Sequence, residues 1–265
     1  MSRAAGAALR PRIGVMTSTR GTAVEPVTPL TPRPLWRTLS TQTWSDLCFL
    51  HWAVDPDQVA PLLPRGTRPD TLDGSTYVGL IGFRMVDLGL LRGPALPWVG
   101  TFLETNVRLY SVDRLGRRGV VFRSLDATRL TAVLTARATL RLPYAWSRMS
   151  FDRSGDEITY RCRRRWPEPR GATSAMRIRV GRPVAEPTAL DHFLTARWGL
   201  HTTIGQRSVH LPNEHPSWPL WSADLLELDD ELIVAGGLPA PIGPPQSVRY
   251  SPGVPVAFGA PDQVA

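Results

Sequence analysis

The chain alternates between short apolar runs and polar turns, with few long helical stretches. Leu47–Ala53 (LCFLHWA) is an apolar run of strand length. Asp55–Pro56 then predicts a helix start, an N-cap followed by proline at the first helical position, with Val59, Leu62 and Leu63 on one side and a stop at Pro64. Thr76–Val86 (TYVGLIGFRMV) is apolar on both faces apart from Arg84, the pattern of a central strand covered on two sides. Phe102–Val112 alternates, Asp113–Gly119 is a polar turn and Val120–Leu125 returns, which predicts a hairpin. Thr128–Leu142 and Pro187–Trp198 carry apolar residues at helical spacing. Strand-like stretches follow at 145–151, 157–166, 175–180, 199–204, 207–211, 224–229 and 247–250. Eight or more short strands with two or three short helices, and no regular β-α alternation, predict an α+β domain that is mainly an antiparallel β barrel.

The same pattern divides the chain into a leader, one domain and a tail. Residues 1–37 read as a disordered Arg/Pro-rich leader, with Met16 an alternative start to Met1. Residues 38–250 read as a single β-rich domain and 251–265 as a C-terminal tail. Composition suits a loop-rich β protein: 26 Pro and 22 Gly in 265 residues, 42% apolar. No apolar run approaches the roughly 18 residues of a membrane span, so no membrane partner is expected. Cys48 and Cys162 lack metal-ligand spacing, and reduced thiols fit a cytoplasmic location.

All 31 basic residues are arginine. Without lysine, a Schiff base on a side-chain amine, a covalent pyridoxal phosphate site and a phosphate loop ending in Lys are excluded. The net charge of +8 is unevenly distributed: residues 148–182 hold ten arginines against four acids, and 183–265 hold three against nine. Arg161, Arg163 and Arg165 share a strand face near Tyr160 and Trp166. Such runs are usually solvated or matched within the chain, so nucleic acid is not expected as a partner.

Chemistry-bearing residues concentrate on one strand. Glu104, Asn106, Arg108 and Tyr110 fall on one side, with Leu103, Val107 and Leu109 on the other. That polar side either meets water or lines a cavity, where it offers one ligand a carboxylate, an amide, a guanidinium and a phenol. Arg84, inside an apolar strand, needs a carboxylate or an anion unless it reaches out to solvent, and Glu104 and Asp126 are candidate partners. Ser124, Asp126, His51 and Trp218 complete the candidate lining, with Trp218 on a rigid His-Pro-Ser-Trp-Pro loop that could cover a cavity mouth. His210 and His215 bracket Glu214, but their spacing fits no ligand pattern, so no metal is expected. No GxSxG elbow supports a serine triad.

The strings LCFLHWAV (47–54), PLLP (61–64), YVGLIGFRM (77–85), FLETNVRLY (102–110), GVVFRSLDA (119–127), RLPY (141–144) and HPSWP (215–219) together resemble a bacterial family. It is the domain-of-unknown-function family 2071, the YqjF-like proteins, and the resemblance spans about residues 38–250. It implies the acetoacetate decarboxylase-like fold, a β-rich barrel or cone around a small-molecule cavity. Glu104 is similar to the acidic residue that relatives of the decarboxylase place near the reacting carbon. The decarboxylase's lysine has no counterpart, so its covalent mechanism does not carry over.

Three functions remain open. The first is an enzyme without covalent capture, in which Arg84 or Arg108 holds a carboxylate and Glu104 shuttles a proton beside a carbonyl, as in an isomerase or lyase. The second is a module that binds a metabolite without turnover. The third is a protein whose arginine patch docks an acidic partner. Expected throughout are an anionic or carbonyl-bearing small-molecule ligand and no cofactor. The oligomeric state is not readable.

Overall fold

The computed structural model describes residues 22–264 apart from 92 and 99. Thirteen strands and four short helices are found among the described residues. The strands are β1 (Thr38–Val54), β2 (Thr67–Pro69), β3 (Thr76–Leu90), β4 (Phe102–Asp113), β5 (Arg118–Ala127), β6 (Tyr144–Ser154), β7 (Glu157–Trp166), β8 (Thr173–Pro183), β9 (Gly199–Ile204), β10 (Arg207–Glu214), β11 (Trp221–Asp230), β12 (Ser247–Gly259) and β13 (Asp262–Gln263). The helices are α1 (Pro56–Val59), α2 (Leu130–Leu140), α3 (Ala189–Thr195) and α4 (Leu232–Ala235). Local chemistry explains the starts of two of them. Asp55 caps α1 by accepting from the Asp57 amide, and Thr188 with Asp191 forms a capping box on α3.

The pairings close two rings that share a wall. One ring runs β1-β3-β4-β5-β6-β7-β8-β11-β12 and back to β1. The other leaves β5 through β9 and β10 and rejoins at β12. Most pairs are antiparallel, but both branches from β5 are parallel. The fold is thus α+β, a mainly antiparallel closed β structure. Strands β12, β1, β3, β4 and β5 belong to both rings, so one face of this wall lines each interior.

Strand alternation divides the side chains between the two interiors. The nine-strand ring is filled with hydrocarbon: Leu50, Leu80, Val107, Leu109, Ile158 and Ile178 are buried in one cluster. The other face of the wall carries Phe49, Ile81 and Phe83 towards α2, and Tyr110, Leu125 and Val120 towards α3, Leu200 and Leu211. It also carries the polar row of β4. Arg161, Arg163 and Arg165 lie exposed on the outside of β7.

Two expected boundaries differ. The tail from 251 is instead the second half of β12, where Val254 and Val256 pair with Trp44 and Gln42. Within it Gly253 takes φ 124° and leaves no room for a Cβ beside Trp44 O. The expected leader lies outside the described residues up to 21. Residues 22–37 are extended, as their prolines dictate, yet tied to the domain. The Glu25 amide donates to Gly116 O (3.0 Å), Trp198 Nε1 to Thr28 O (3.3 Å) and the Leu35 amide to Glu214 Oε2 (3.1 Å). No helix among the described residues is long and apolar enough to cross a membrane.

Leu80 is fully buried where the shared wall meets the larger ring. Leu80→Ala is expected to destabilise by about 2–5 kcal/mol, measured by urea unfolding, because the packed ring cannot collapse around the void.

Candidate functional site

The candidate site is built in rows across the wall. His51, Gly79 and Arg108 stand side by side on β1, β3 and β4; Phe49, Ile81 and Asn106 form the next row, and Phe83 and Glu104 the one after. None of the polar members meets bulk water: Glu104 is 2%, Asn106 3%, Arg108 8% and His51 1% exposed. Gly79 makes the first row possible. A Cβ there would stand 3.0 Å from the His51 ring and 3.2 Å from Arg108 Cγ, so any side chain would push the two apart.

Glu104 is held from both sides. Tyr144 donates its hydroxyl to Oε2 (2.9 Å) and Asn106 its amide to Oε1 (3.4 Å). Burial raises its carboxyl to about 7 despite those two donors, with Asp126 pushing the same way and Arg108 opposing. Burial also pushes the Tyr144 hydroxyl well above the usual phenol range, so it stays a donor.

His51 Nε2 lies 2.7 Å from Tyr110 Oη, and Tyr110 donates to Leu194 O (3.1 Å). Burial, with Arg108 and Arg197 nearby, pushes the imidazole well below its ordinary value and keeps it neutral.

The arginines show what is unusual about Arg108. Arg164 grips Asp126 with Nε (2.8 Å) and Nη2 (2.7 Å), and Arg249 uses the same edge on Asp191. Arg197, stacked over Tyr110 and Phe193, is paired with Asp70. Arg108 lies 5.6 Å from the Phe49 ring centroid, and its Nε and Nη2 are buried with no hydrogen-bond partner. His51 Nδ1 and Asn106 Oδ1 are likewise buried and unpartnered. Buried polar groups are ordinarily satisfied, and these four orphan atoms lie together on one patch of wall.

Three expected members lie elsewhere. Arg84 follows Phe83, which shares the chamber face with Glu104, so alternation sends it to the opposite face. There it is half exposed, 3.1 Å from Asp46 Oδ2 and 5.3 Å from the Phe151 ring, and pairs with neither Glu104 nor Asp126. Ser124 and Asp126 are turned away by a bulge in β5. Asp126 accepts from Ser124 (3.0 Å), Ser147 (2.7 Å) and Arg164, a saturated network with no valence left for a ligand.

Trp218 lies beside the polar row, against Phe49. It meets the Phe49 ring edge-on at 5.4 Å, stacks near Trp44 at 6.1 Å and lies 5.0 Å from His215. A cleft of about 740 Å³ is lined by Gln42, Asp87, His215 and Pro216 among others. Another cleft, of about 480 Å³, lies between α2 and Trp166. The polar row lines neither. Among the described residues, no three His, Cys, Asp or Glu side chains converge as metal ligands.

Tyr144 and Arg197 were not among the residues singled out from the sequence. Tyr144 lies in RLPY, but its approach to Glu104 depends on the parallel β5–β6 pairing, for which no local signal exists.

Three outcomes follow. Asp126→Ala is expected to cost about 3–5 kcal/mol because it strands the buried Arg164 cation. Arg108→Met, which removes a buried cation with no paired carboxylate, is expected to leave unfolding free energy within about 1 kcal/mol of wild type or raise it. Urea unfolding checks both. The raised Glu104 carboxyl stabilises the fold fully below about pH 4.5, and that contribution is lost as pH rises to about 7. The stability of wild type relative to Glu104→Gln should fall across that window and level off above it, in unfolding midpoints at pH 4.5–8.

Known proteins agree with this architecture. The family model of the domain-of-unknown-function family 2071, an uncharacterized conserved protein, matches residues 41–255. The YqjF protein of Bacillus subtilis (strain 168) is 33% identical over 193 residues, 73% of this chain and 78% of that protein. Among solved structures, the enduracididine biosynthesis enzyme MppR complexed with pyruvate superposes with a TM-score of 0.61 at 16% identity, covering 89% of this chain and 92% of that one. Acetoacetate decarboxylase from Legionella pneumophila superposes at 0.58 and 13% identity, covering 89% and 92%. An acetoacetate decarboxylase-like enzyme from Sphingomonas wittichii RW1 superposes at 0.59 and 14% identity, covering 92% and 100%. At such identities the likeness is one of fold, which is acetoacetate decarboxylase-like. By the family match and the Bacillus relative, this chain belongs to the domain-of-unknown-function family 2071, the YqjF-like proteins.

Proposed function

We propose that the smaller ring binds a carboxylate-bearing carbonyl compound without covalent capture, and that Glu104 moves a proton on the carbon beside the carbonyl. The observation that carries this reading is the bare Nε/Nη2 edge of Arg108. In the same molecule that edge of Arg164 and of Arg249 holds a carboxylate, and in the chamber the carboxylate is the ligand's. MppR, a protein of the same fold, was solved with pyruvate, which supports the ligand class.

The chemistry uses groups already placed. Glu104, with its carboxyl near 7, exists in both protonation states at neutral pH and can accept a proton from carbon or return one. When it takes the proton, the C–H electron pair moves into the enolate and the new negative charge on oxygen lies beside Arg108. Tyr144 and Asn106 hold the carboxyl in place. With no lysine in the chain, no side-chain amine is available for an imine, so the guanidinium bears the charge. The reaction class is an isomerase or a Schiff-base-independent lyase. Entry requires the Glu214–Pro219 segment to lift, because His215 and Trp218 close the chamber from the cleft side. Two free, buried thiols fit a cytoplasmic protein, and no cofactor is called for.

The test uses pyruvate and larger 2-oxo acids in D2O. Wild type should speed exchange of the C3 protons for deuterium, read by NMR. Glu104→Gln should lower that rate about 10²–10⁴-fold with affinity within a few-fold, and Arg108→Met should lose binding. Binding without exchange identifies a metabolite-binding module instead, and binding that survives Arg108→Met overturns the assignment of the site.

A further inference from the structure

The hydrogen-bond polarity of the chamber narrows the ligand further, an inference that rests on the carboxylate-binding reading above. The tautomer of His51 can be derived. The Leu194 carbonyl can only accept, so the one proton of the Tyr110 hydroxyl is spent on it. Tyr110 Oη must then accept from His51, and the 2.7 Å contact is His51 Nε2–H donating. A neutral imidazole with its proton on Nε2 presents Nδ1 as a bare lone pair, and Nδ1 is the ring atom that is buried without a partner. Asn106 presents the same polarity: its NH2 donates to Glu104, leaving Oδ1 as an unpartnered acceptor.

Arg108 supplies the opposite sign. Its orphan Nε–H and Nη2–H are donors, across Gly79 from His51 and two residues, about 7 Å, along β4 from Asn106. A ligand made only of acceptors, such as a simple carboxylate or a 2-oxo acid, satisfies the arginine and leaves both acceptors buried and unmatched. A single O–H set beside the carboxylate answers the acceptor across Gly79 from Arg108, His51 Nδ1.

We infer that the chamber is built for a carboxylate bearing an O–H on the neighbouring carbon, a 2-hydroxy acid or the enol form of a 2-oxo acid, with the carboxylate on the Arg108 edge and the hydroxyl donating to His51 Nδ1. The polarity pattern sets this class apart from plain acids of the same size, because leaving a buried acceptor unmatched costs more than the hydrogen bond itself returns.

Four probes of nearly equal size test this: propionate, pyruvate and the two enantiomers of lactate, each titrated into the full chain by calorimetry or ligand-observed NMR. One lactate enantiomer is expected to bind about tenfold more tightly than propionate or pyruvate. His51→Phe should abolish the affinity ratio between that enantiomer and propionate. Tyr110→Phe, a milder change, frees the imidazole to carry its proton on Nδ1, and should lower the lactate-to-propionate affinity ratio. Independently, the 15N signals of His51 in the unliganded protein should report the Nε2–H tautomer, and an Nδ1–H tautomer overturns the inference. Arg108-dependent binding of all four probes with no preference for lactate also overturns it, leaving the carboxylate-binding reading intact. Absence of Arg108-dependent binding by any probe overturns both.

Discussion

A shared wall cannot be solvated on either face, and that constraint governs this molecule. Strand β4 sits in two closed rings at once, so every side chain it carries is committed to an interior. Val107 and Leu109 fill the larger ring, and the alternate residues Glu104, Asn106, Arg108 and Tyr110 enter the smaller one. In an ordinary antiparallel sheet such a polar row would face water at little cost. Here it is buried, and the free energy of that burial must be offset by hydrogen bonds, pairing or a ligand.

Three buried carboxylates elsewhere satisfy that requirement. Asp126 is saturated by Arg164, Ser124 and Ser147; Asp70 faces both Arg118 and Arg197; Asp191 serves a helix cap and Arg249 together. Arg108 differs from these arginines in that both its Nε and its Nη2 lack a partner, although other buried atoms, among them both ring nitrogens of His210, lack one too. Arg164 on β7 and Arg249 on β12, each three strands from β4, have both of those atoms on a carboxylate. Local departures from an otherwise consistent pattern are where function is expected.

Much of this could be read from sequence, and what could not has a physical cause. The hairpin β4–β5, helices α2 and α3, the capped turn at Asp55 and the polar row of β4 all follow from spacing within a few residues of each other. The destiny of that row did not: local alternation is the same for a solvated face and for a chamber wall. Arg84 was separated from Glu104 by cross-strand register, which sequence spacing does not contain. Ser124 and Asp126 were reversed by a single extra residue in β5, since one bulge exchanges the two faces of everything beyond it. Tyr144 and Arg197 reach the site only through ring closure and the packing of α3. Long-range closure is the part of a β fold that local patterns leave open.

Lysine-dependent chemistry in such a chamber would lower a barrier by converting a carbonyl to an imine, an electron sink created by a covalent bond. In the reaction proposed above the sink is electrostatic, and its strength depends on how little water screens it. The aromatic layer of Phe49, Trp44 and Trp218 excludes water from above, and the hydrocarbon of the larger ring excludes it from below. The same dryness sets Glu104. Burial raises its carboxyl and the guanidinium opposes that, and the balance near 7 lets one group give and take a proton at neutral pH. Moving Arg108 closer would strengthen the sink but pull the carboxyl down and weaken it as an acid. Separating Glu104 and Arg108 along one strand, with Asn106 between them, reconciles the two demands.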